Sequence, residues 1–150
     1  MGSFASPADR NALEAESAWA DRYVAKSMYQ FLSSAKAKHG DRPAISFQLM
    51  SGPGDKAETL TWAQYHGKVT QAANLFRSLG VGPGDVVAYV LPNSIETAVT
   101  MMGAAVAGIV NPINPLLDAD QISSILRETK AKVVVTLRAF PKTDVAQKVA

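Results

Sequence analysis

The spacing of apolar residues changes along the chain, and its first clear run has helical spacing. From Val24 to Lys38 apolar side chains recur every three or four positions, which predicts a helix with one apolar face. His39-Gly40-Asp41 and then Pro43 end this helix. Residues 1–22 are polar and rich in small side chains, so a flexible lead-in is expected there.

The next apolar run alternates as a half-buried strand does. Ala44–Met50 has this alternation, and a turn follows at Ser51-Gly52-Pro53-Gly54-Asp55. Glu58–Thr61 is predicted as a short returning strand. The two strands together predict a hairpin.

A strongly signalled helix follows the hairpin. Thr61-Trp62-Ala63-Gln64 has the form of a capping box, with a hydroxyl at the N-cap and glutamine three residues later. Gly80 supplies the C-terminal stop. One face of this helix is predicted to be apolar and consists of Tyr65, Val69, Ala72, Ala73, Phe76 and Leu79.

Beyond Val86 the pattern is that of a buried parallel sheet. Val86–Leu91 is apolar without alternation, which is typical of a strand covered on both faces. Ile95–Ala107 is apolar almost all round and predicts a buried helix that ends at Gly108. Ile109–Ile113 contains Pro112 and is predicted to be an edge or irregular strand.

The remaining segments continue the alternation of helix and strand. A helix is predicted from Asp118-Ala119-Asp120-Gln121 onward, followed by a further buried strand at Lys132–Leu137 and the beginning of a helix in residues 141–150. Strand, helix, strand, helix, strand in this order implies two right-handed crossovers. The predicted fold class is therefore α/β, a doubly wound and mostly parallel sheet flanked by helices, forming an incomplete portion of a larger domain.

Composition excludes several classes of function. Hydrophobic residues make up 47% of the 150-residue chain, enough for a core. The absence of cysteine removes disulfides, thiolate zinc sites, cysteine nucleophiles and iron–sulfur clusters. A net charge of +2 gives no argument for nucleic acid. The longest apolar stretch, Ala98–Val110, is shorter than the roughly 20 residues of a membrane span, and no secretory signal is recognised.

The glycine pair Gly82-Pro83-Gly84 invites a phosphate-binding interpretation. A dinucleotide fingerprint places its glycines after a strand and before a helix, whereas these precede a strand. The favoured interpretation is a tight turn. Gly-Pro-Gly-Asp also occurs at residues 52–55, and the shared motif is interpreted as common turn chemistry because the flanking sequences differ.

Other candidate residues are few and scattered. His39 and His66 are isolated from carboxylates, and catalytic zinc needs three protein ligands, so no metal site is predicted. Asp118 and Asp120 are interpreted as first-turn charges that the helix dipole favours. Met101-Met102 is interpreted as core filling, and Trp19 and Trp62 form no base-stacking row. The residues by themselves predict no catalytic, cofactor-binding or metal-binding side chain.

Six short segments, in order, resemble one enzyme family. They are Leu60–Tyr65, Leu79-Gly80-Val81, Gly84–Ala88, Leu91-Pro92-Asn93-Ser94 with Glu96, Ala107–Pro115 and Ala131–Thr136. Together they resemble the N-terminal part of the acyl-adenylate-forming superfamily of AMP-dependent synthetases and ligases, over roughly residues 24–148. Peptide-synthetase adenylation domains usually have aspartate where Asn114 stands, so the segment is more similar to acyl-CoA synthetases.

The resemblance implies a two-step reaction in the complete enzyme. A carboxylic acid, fatty or aryl, and ATP give acyl-AMP and pyrophosphate with Mg²⁺, and CoA then displaces AMP to form the thioester. The family's phosphate loop, its adenine and ribose motifs and its late lysine have no counterpart in this chain. Residues 23–150 are therefore expected to be the N-terminal part of the AMP-binding domain of a cytoplasmic ligase, whose partner is the remainder of its own enzyme. This segment is expected to be an inactive scaffold that binds no ATP, Mg²⁺ or CoA alone.

Two alternatives stay open at this point. Gly103, Ala104 and Ala107 could shape a wall of an acyl pocket, although close packing of the helix is favoured. The chain could also be a truncated, non-catalytic α/β module that binds a protein partner through an exposed sheet edge.

Overall fold

The computed structural model describes residues 5–22, 25–50, 52–138 and 144–150, and three helices come first. They are α1 (Pro7–Ala15), α2 (Trp19–Arg22) and α3 (Met28–His39). Ser6 caps α1 by accepting a hydrogen bond from the Asp9 amide, and none of the nine residues of α1 is buried. The predicted lead-in thus contains two short helices, and its flexibility stays a prediction.

Helix α3 begins later than the sequence pattern predicted. The hydroxyl of Ser27 accepts a hydrogen bond from the amide of Gln30 at 3.1 Å, which fixes the N-terminus at Met28. The predicted start, Val24, lies outside the described residues. Leu32 is buried, but Phe31 is 56% exposed, so the predicted apolar face is only partly covered.

The predicted hairpin is present with a shorter first strand. Strands β1 (Pro43–Phe47) and β2 (Glu58–Thr61) pair antiparallel, with Phe47 opposite Glu58. The prediction that β1 extends to Met50 was wrong, because β2 begins at Glu58 and offers no partner beyond Phe47. Leu49 and Met50 are accordingly exposed.

Helix α4 (Trp62–Ser78) has the caps that the sequence predicted. Thr61 and Gln64 form a capping box, and Gly80 follows the helix with a φ of +84°, where glycine is favoured. Tyr65, Val69, Ala73 and Phe76 are buried and Ala72 is half-buried. Leu79 is 54% exposed, contrary to prediction, because it lies beyond the last helical residue and leaves the inward face.

Three parallel strands form the central sheet, in the order β4-β3-β5. They are β3 (Val86–Val90), β4 (Ile109–Ile113) and β5 (Val133–Thr136). Val87, Ala88 and Val90 of the central strand are fully buried, which confirms the strand covered on both faces. Strand β4 lies at an edge of the described sheet, as its proline predicted.

Strand β5 is less buried than predicted. Val134 is 37% exposed, although it pairs with the fully buried Ala88. The cluster that covers Ala88 and Val90 is built on Ile113, Ile122 and Val145 and does not extend to Val134.

Helices cover both faces of the sheet. Helix α5 (Ile95–Ala107) packs with α4 against the face that carries Val87, while α6 (Ala119–Glu128) and α7 (Val145–Lys148) cover the face that carries Ala88. Buried residues of α5 follow one face, and most of its other apolar residues are half-buried. The doubly wound α/β arrangement is confirmed. Among the described residues no helix is long and apolar enough to cross a membrane.

Candidate functional site

The carboxyl edge of the parallel sheet is the place where this topology puts a ligand site. Strand β3 is followed by α5 on one face, whereas the neighbouring β4 is followed by α6 on the other face. The two loops, residues 91–94 and 114–118, therefore leave this edge toward opposite faces of the sheet. In doubly wound folds, ligands bind in the crevice outside the carboxyl edge at such a switch point of the strand order.

The loop after β3 is held by its own hydroxyl groups. The Thr97 hydroxyl donates a 2.5 Å hydrogen bond to the carbonyl of Pro92. Ser94 accepts from the amide of Thr97 at 3.2 Å, and so caps α5. Asn93, between them, is exposed. The loop is thus fixed locally, and Asn93 is its exposed amide side chain.

The loop after β4 is built in a comparable way. The side-chain oxygen of Asn114 accepts from the amide of Leu116 at 3.0 Å, and Asp118 caps α6 by accepting from the amide of Gln121 at 2.8 Å. Asp118 is thus the N-cap itself, and Asp120 is the first-turn charge. Both residues stabilise the helix start, in agreement with their structural interpretation.

The described residues of the carboxyl-edge loops carry few charged groups. Among the described residues no group of three or more histidine, aspartate or glutamate side chains could hold a metal ion. The loops contribute amides and hydroxyls, and Arg138 follows β5 near the same edge.

The glycine pair Gly82-Pro83-Gly84 lies at the opposite, amino edge of the sheet. The carboxylate of Asp85 accepts a 2.7 Å hydrogen bond from the amide of Gly82. Lys132 donates to the same carboxylate at 2.9 Å and to the carbonyl of Gly80 at 2.5 Å. The amide that a phosphate would use is therefore occupied by the turn's own aspartate, in agreement with the turn interpretation.

Electrostatics at this turn favour the charged aspartate. The pKa of Asp85 lies below its ordinary value. The main cause is the hydrogen bond from Lys132, and the second is the hydrogen bond from the Gly82 amide. Gly80 and Lys132 are 52 residues apart, and no local sequence signal pairs Asp85 with that lysine. This contact was missed by sequence reasoning.

The two histidines have different environments. His39 is exposed at the end of α3. His66 is buried on α4, where its Nε2 lies 3.0 Å from the Ser33 hydroxyl and its ring lies 5.1 Å from that of Tyr29. Loss of solvent, and then the charge of Lys36, lowers the pKa of His66. His66 thus joins α3 to α4 as a packing residue.

The small residues of α5 serve close packing. A Cβ on Gly103 would lie 2.6 Å from the Cβ of Ala72 on α4, so the two helices approach through this glycine. Ala104 and Ala107 belong to the cluster around Val87. Their position between α4 and the sheet supports the packing interpretation. None of the described contacts of these three residues supports the alternative that they form a wall of an acyl pocket.

The remaining candidates agree with structural roles. Met102 packs against the cluster of Leu32, Tyr65 and Ile95, as core filling predicts. Trp62 is half-buried, and its ring meets that of Tyr65 edge-on at 6.4 Å. The side chain of Trp19 lies outside the described residues.

Comparison with known proteins assigns residues 32–150 to the family model described as AMP-binding enzyme. A marinolic acid–CoA ligase of Pseudoalteromonas is 32% identical over 117 residues, covering 78% of this chain and 18% of the relative. A long-chain-fatty-acid–CoA ligase, FadD13 of Mycobacterium tuberculosis, is 39% identical over 77 residues, covering 51% of this chain and 15% of the relative. The chain thus spans under a fifth of the length of these curated relatives.

Solved structures give the same pattern. A fatty acyl CoA synthetase of Mycobacterium tuberculosis superposes with a TM-score of 0.61 at 29% identity, over 74% of this chain and 21% of the other. A benzoate CoA ligase of Burkholderia xenovorans has a TM-score of 0.67 at 18% identity, over 83% of this chain and 23% of the other, and shows the shared fold alone.

Proposed function

The chain belongs to the AMP-binding enzyme family, and on that premise we propose that it is the N-terminal segment of an ATP-dependent acyl-CoA synthetase. The observation that carries the proposal is the similarity over three quarters of the chain to acid–CoA ligases, together with the small share of each that it covers. The confirmed doubly wound sheet agrees with it. A fold shared at low identity would not suffice, because one fold hosts many functions.

The proposed reaction has two steps. The carboxylate of a fatty or aryl acid attacks the α-phosphorus of ATP, giving acyl-AMP and pyrophosphate. The CoA thiolate then attacks the acyl carbon and releases AMP. Charge develops on phosphoryl oxygens in the first step, so Mg²⁺ and cationic side chains are required around them.

The proposed role of this segment is to form part of the scaffold. Caps at Ser94 and Asp118, together with the buried β3, hold the two loops of the carboxyl edge. The segment contributes no catalytic residue, and ATP, Mg²⁺ and CoA bind to the complete enzyme. A cytoplasmic location stays a prediction.

The test is an activity assay on the intact protein that contains this chain. It would be incubated with ATP, Mg²⁺, CoA and a panel of aliphatic and aromatic acids, and the thioester and AMP would be identified by mass spectrometry. We expect acid-dependent formation of both products, and neither from residues 1–150 alone. Absence of acyl-AMP and thioester with every acid, from a folded protein, would contradict the proposal.

A further inference from the structure

A cavity of about 670 Å³ lies between α3, the end of α2 and the start of α4, outside the carboxyl edge of the sheet. Its size is that of ordinary small-molecule sites, which span roughly 300–1,000 Å³. Its apolar lining residues are Ala25, Met28, Phe31, Ala35 and Trp62. We name it the α3 cavity.

The lining is chemically divided along α3. Phe31, Ala35 and Lys38 are four and three residues apart, so they lie on one helical face. At 1.5 Å per residue, Phe31 and Lys38 are about 10 Å apart along the helix axis. The face thus runs from an aromatic ring, across a small side chain that leaves space, to a cation.

The charge of the cavity has one sign. Arg22 and Lys38 are its cationic lining residues, and the lining residues that the structure describes include no carboxylate. The described part of the chain contains no ion pair of Arg22 or Lys38. Arg22 is positioned by hydrogen bonds from its guanidinium to the Ser17 hydroxyl and the Leu13 carbonyl. A guanidinium has five donors, so others are left for an anion.

The apolar side chains of the cavity are exposed to water, which is unfavourable in free energy. Phe31 is 56% exposed and Met28 is 38% exposed, beside the half-buried Trp62. Removing such surface from water is favourable, and a hydrocarbon tail lying on Phe31 and Ala35 would do so. Lys38 would then meet a negative head group about two helical turns away.

From this arrangement we propose that the α3 cavity binds an amphipathic carboxylate, with its aliphatic tail over Phe31, Ala35 and Trp62 and its head group at Lys38 and Arg22. The inference does not depend on adenylation, since a protein that forms no thioester would bind the same ligand at this place. Failure of the activity assay and failure of this binding are therefore separate results.

Trp62 provides the direct measurement. Bromoundecanoate would be titrated into the intact protein, because bromine quenches tryptophan fluorescence on contact. We expect saturable quenching that is lost in Trp62→Phe. Bromoundecanol, which lacks the charge, is expected to bind about threefold to fivefold more weakly, the effect of an exposed charge pair. Equal affinity for the two probes, or quenching unchanged in Trp62→Phe, would overturn the proposal.

Matched variants on α3 separate the head-group site from the tail site. Lys38→Gln is expected to weaken carboxylate binding about threefold to fivefold and to leave the alcohol unaffected. Lys36→Gln, on the same helix outside the cavity lining, is expected to change neither. Ala35→Leu is expected to weaken both probes by filling the space, with Ala37→Leu as its control. Equal effects of the two lysine variants, or of the two alanine variants, would contradict the assigned geometry.

Discussion

The same four residues, Gly-Pro-Gly-Asp, form two turns of this molecule with nearly identical local hydrogen bonds. In the turn at 52–55, the Gly52 amide donates to the Asp55 carboxylate at 3.0 Å, and the Asp55 amide donates to the Gly52 carbonyl at 3.1 Å. In the turn at 82–85 the corresponding distances are 2.7 and 3.0 Å. The motif therefore forms the same turn at both places in this chain.

The surroundings of the two turns differ completely. The second turn lies against Gly108, whose Cβ, if present, would be 2.5 Å from the Asp85 carbonyl oxygen and 2.7 Å from that of Gly82. The Ile109 amide donates to that Asp85 carbonyl at 2.9 Å, and Lys132 pairs with the Asp85 carboxylate. Around the first turn, Gln48 donates to the Asp55 carbonyl at 3.0 Å. One turn joins two strands and a helix end, whereas the other closes a hairpin.

The largest loss of stability is expected from Gly108→Ala, beside the second turn. A methyl group would meet two backbone oxygens that cannot rotate away, so the free energy of unfolding should fall by about 2–3 kcal/mol. Gly84→Ala is the matched control, because a Cβ there meets nothing within 4 Å. Urea denaturation measures both. A Gly108→Ala protein as stable as the parent would show that the second turn is not closely packed.

A smaller loss is expected from Gly103→Ala, which extends the comparison to a glycine that contacts a side chain. The new Cβ would lie 2.6 Å from that of Ala72, but alanine also favours the helix by about 1 kcal/mol. The net loss should be about 1 kcal/mol, given an overpacking cost of about 1–3 kcal/mol. Adding Ala72→Gly should relieve the clash, so the double variant should lose less stability than the sum of the two single variants. A loss equal to that sum would contradict the assigned contact.

Replacing the aspartates tests the turns themselves. Asp85→Asn should destabilise the protein more than Asp55→Asn, because only Asp85 has the charged partner Lys132 as well as the glycine amide. Thermal unfolding at neutral pH compares the two variants. Equal shifts would mean that the ion pair adds nothing to the local turn.

Acid titration sharpens the same contrast. The lowered pKa of Asp85 contributes stability that is present above the unfolded pKa and is lost as pH falls through the lower folded value. Stability should therefore decline below about pH 5, and the decline should be shallower in Lys132→Met. Lys56→Met, beside the first turn, is the control and should leave the slope unchanged. Parallel slopes for the parent and Lys132→Met would contradict the assignment.

The smallest effect should be shared by both turns. A methyl group added at Gly54 or Gly84 would meet no atom within 4 Å, and neither residue has a left-handed φ. Alanine at either position should stabilise the protein by about 0.4–1 kcal/mol, through the entropy of the unfolded chain. Denaturant midpoints of the two variants should shift alike, and opposite shifts would show that the turns differ locally.

Element type and most helix ends followed from local sequence, although the start of α3 did not. The side chains of Thr61, Ser94 and Asp118 each accept a hydrogen bond from the amide three residues later, so these caps lie within a short window of sequence. The apolar run of β3 likewise predicted a strand covered on both faces. The exposure of Phe31 and Val134 was missed because their burial depends on distant neighbours, whereas the errors at Leu79 and at the end of β1 came from where the element ends.

The candidate sites depended on the tertiary structure to a greater degree. Pro92-Asn93 and Asn114-Pro115 mark strand ends in the sequence, but the order β4-β3-β5 decides that they flank a switch point. The α3 cavity forms only where α2, α3 and α4 come together. The spacing of Phe31, Ala35 and Lys38 gains a meaning once the structure shows that their face of α3 lines a cavity.

By itself, the sequence determined the two turns, the capped helices, the α/β alternation and the family, because each rests on residues close together in the chain or on their order. The tertiary structure alone decided which turn would be bound to Lys132 and Gly108, and why Gly103 lies against Ala72. Such contacts join residues that are 23 to 47 positions apart in the chain. They form only when helices and strands pack together, and short-range sequence patterns do not encode that packing.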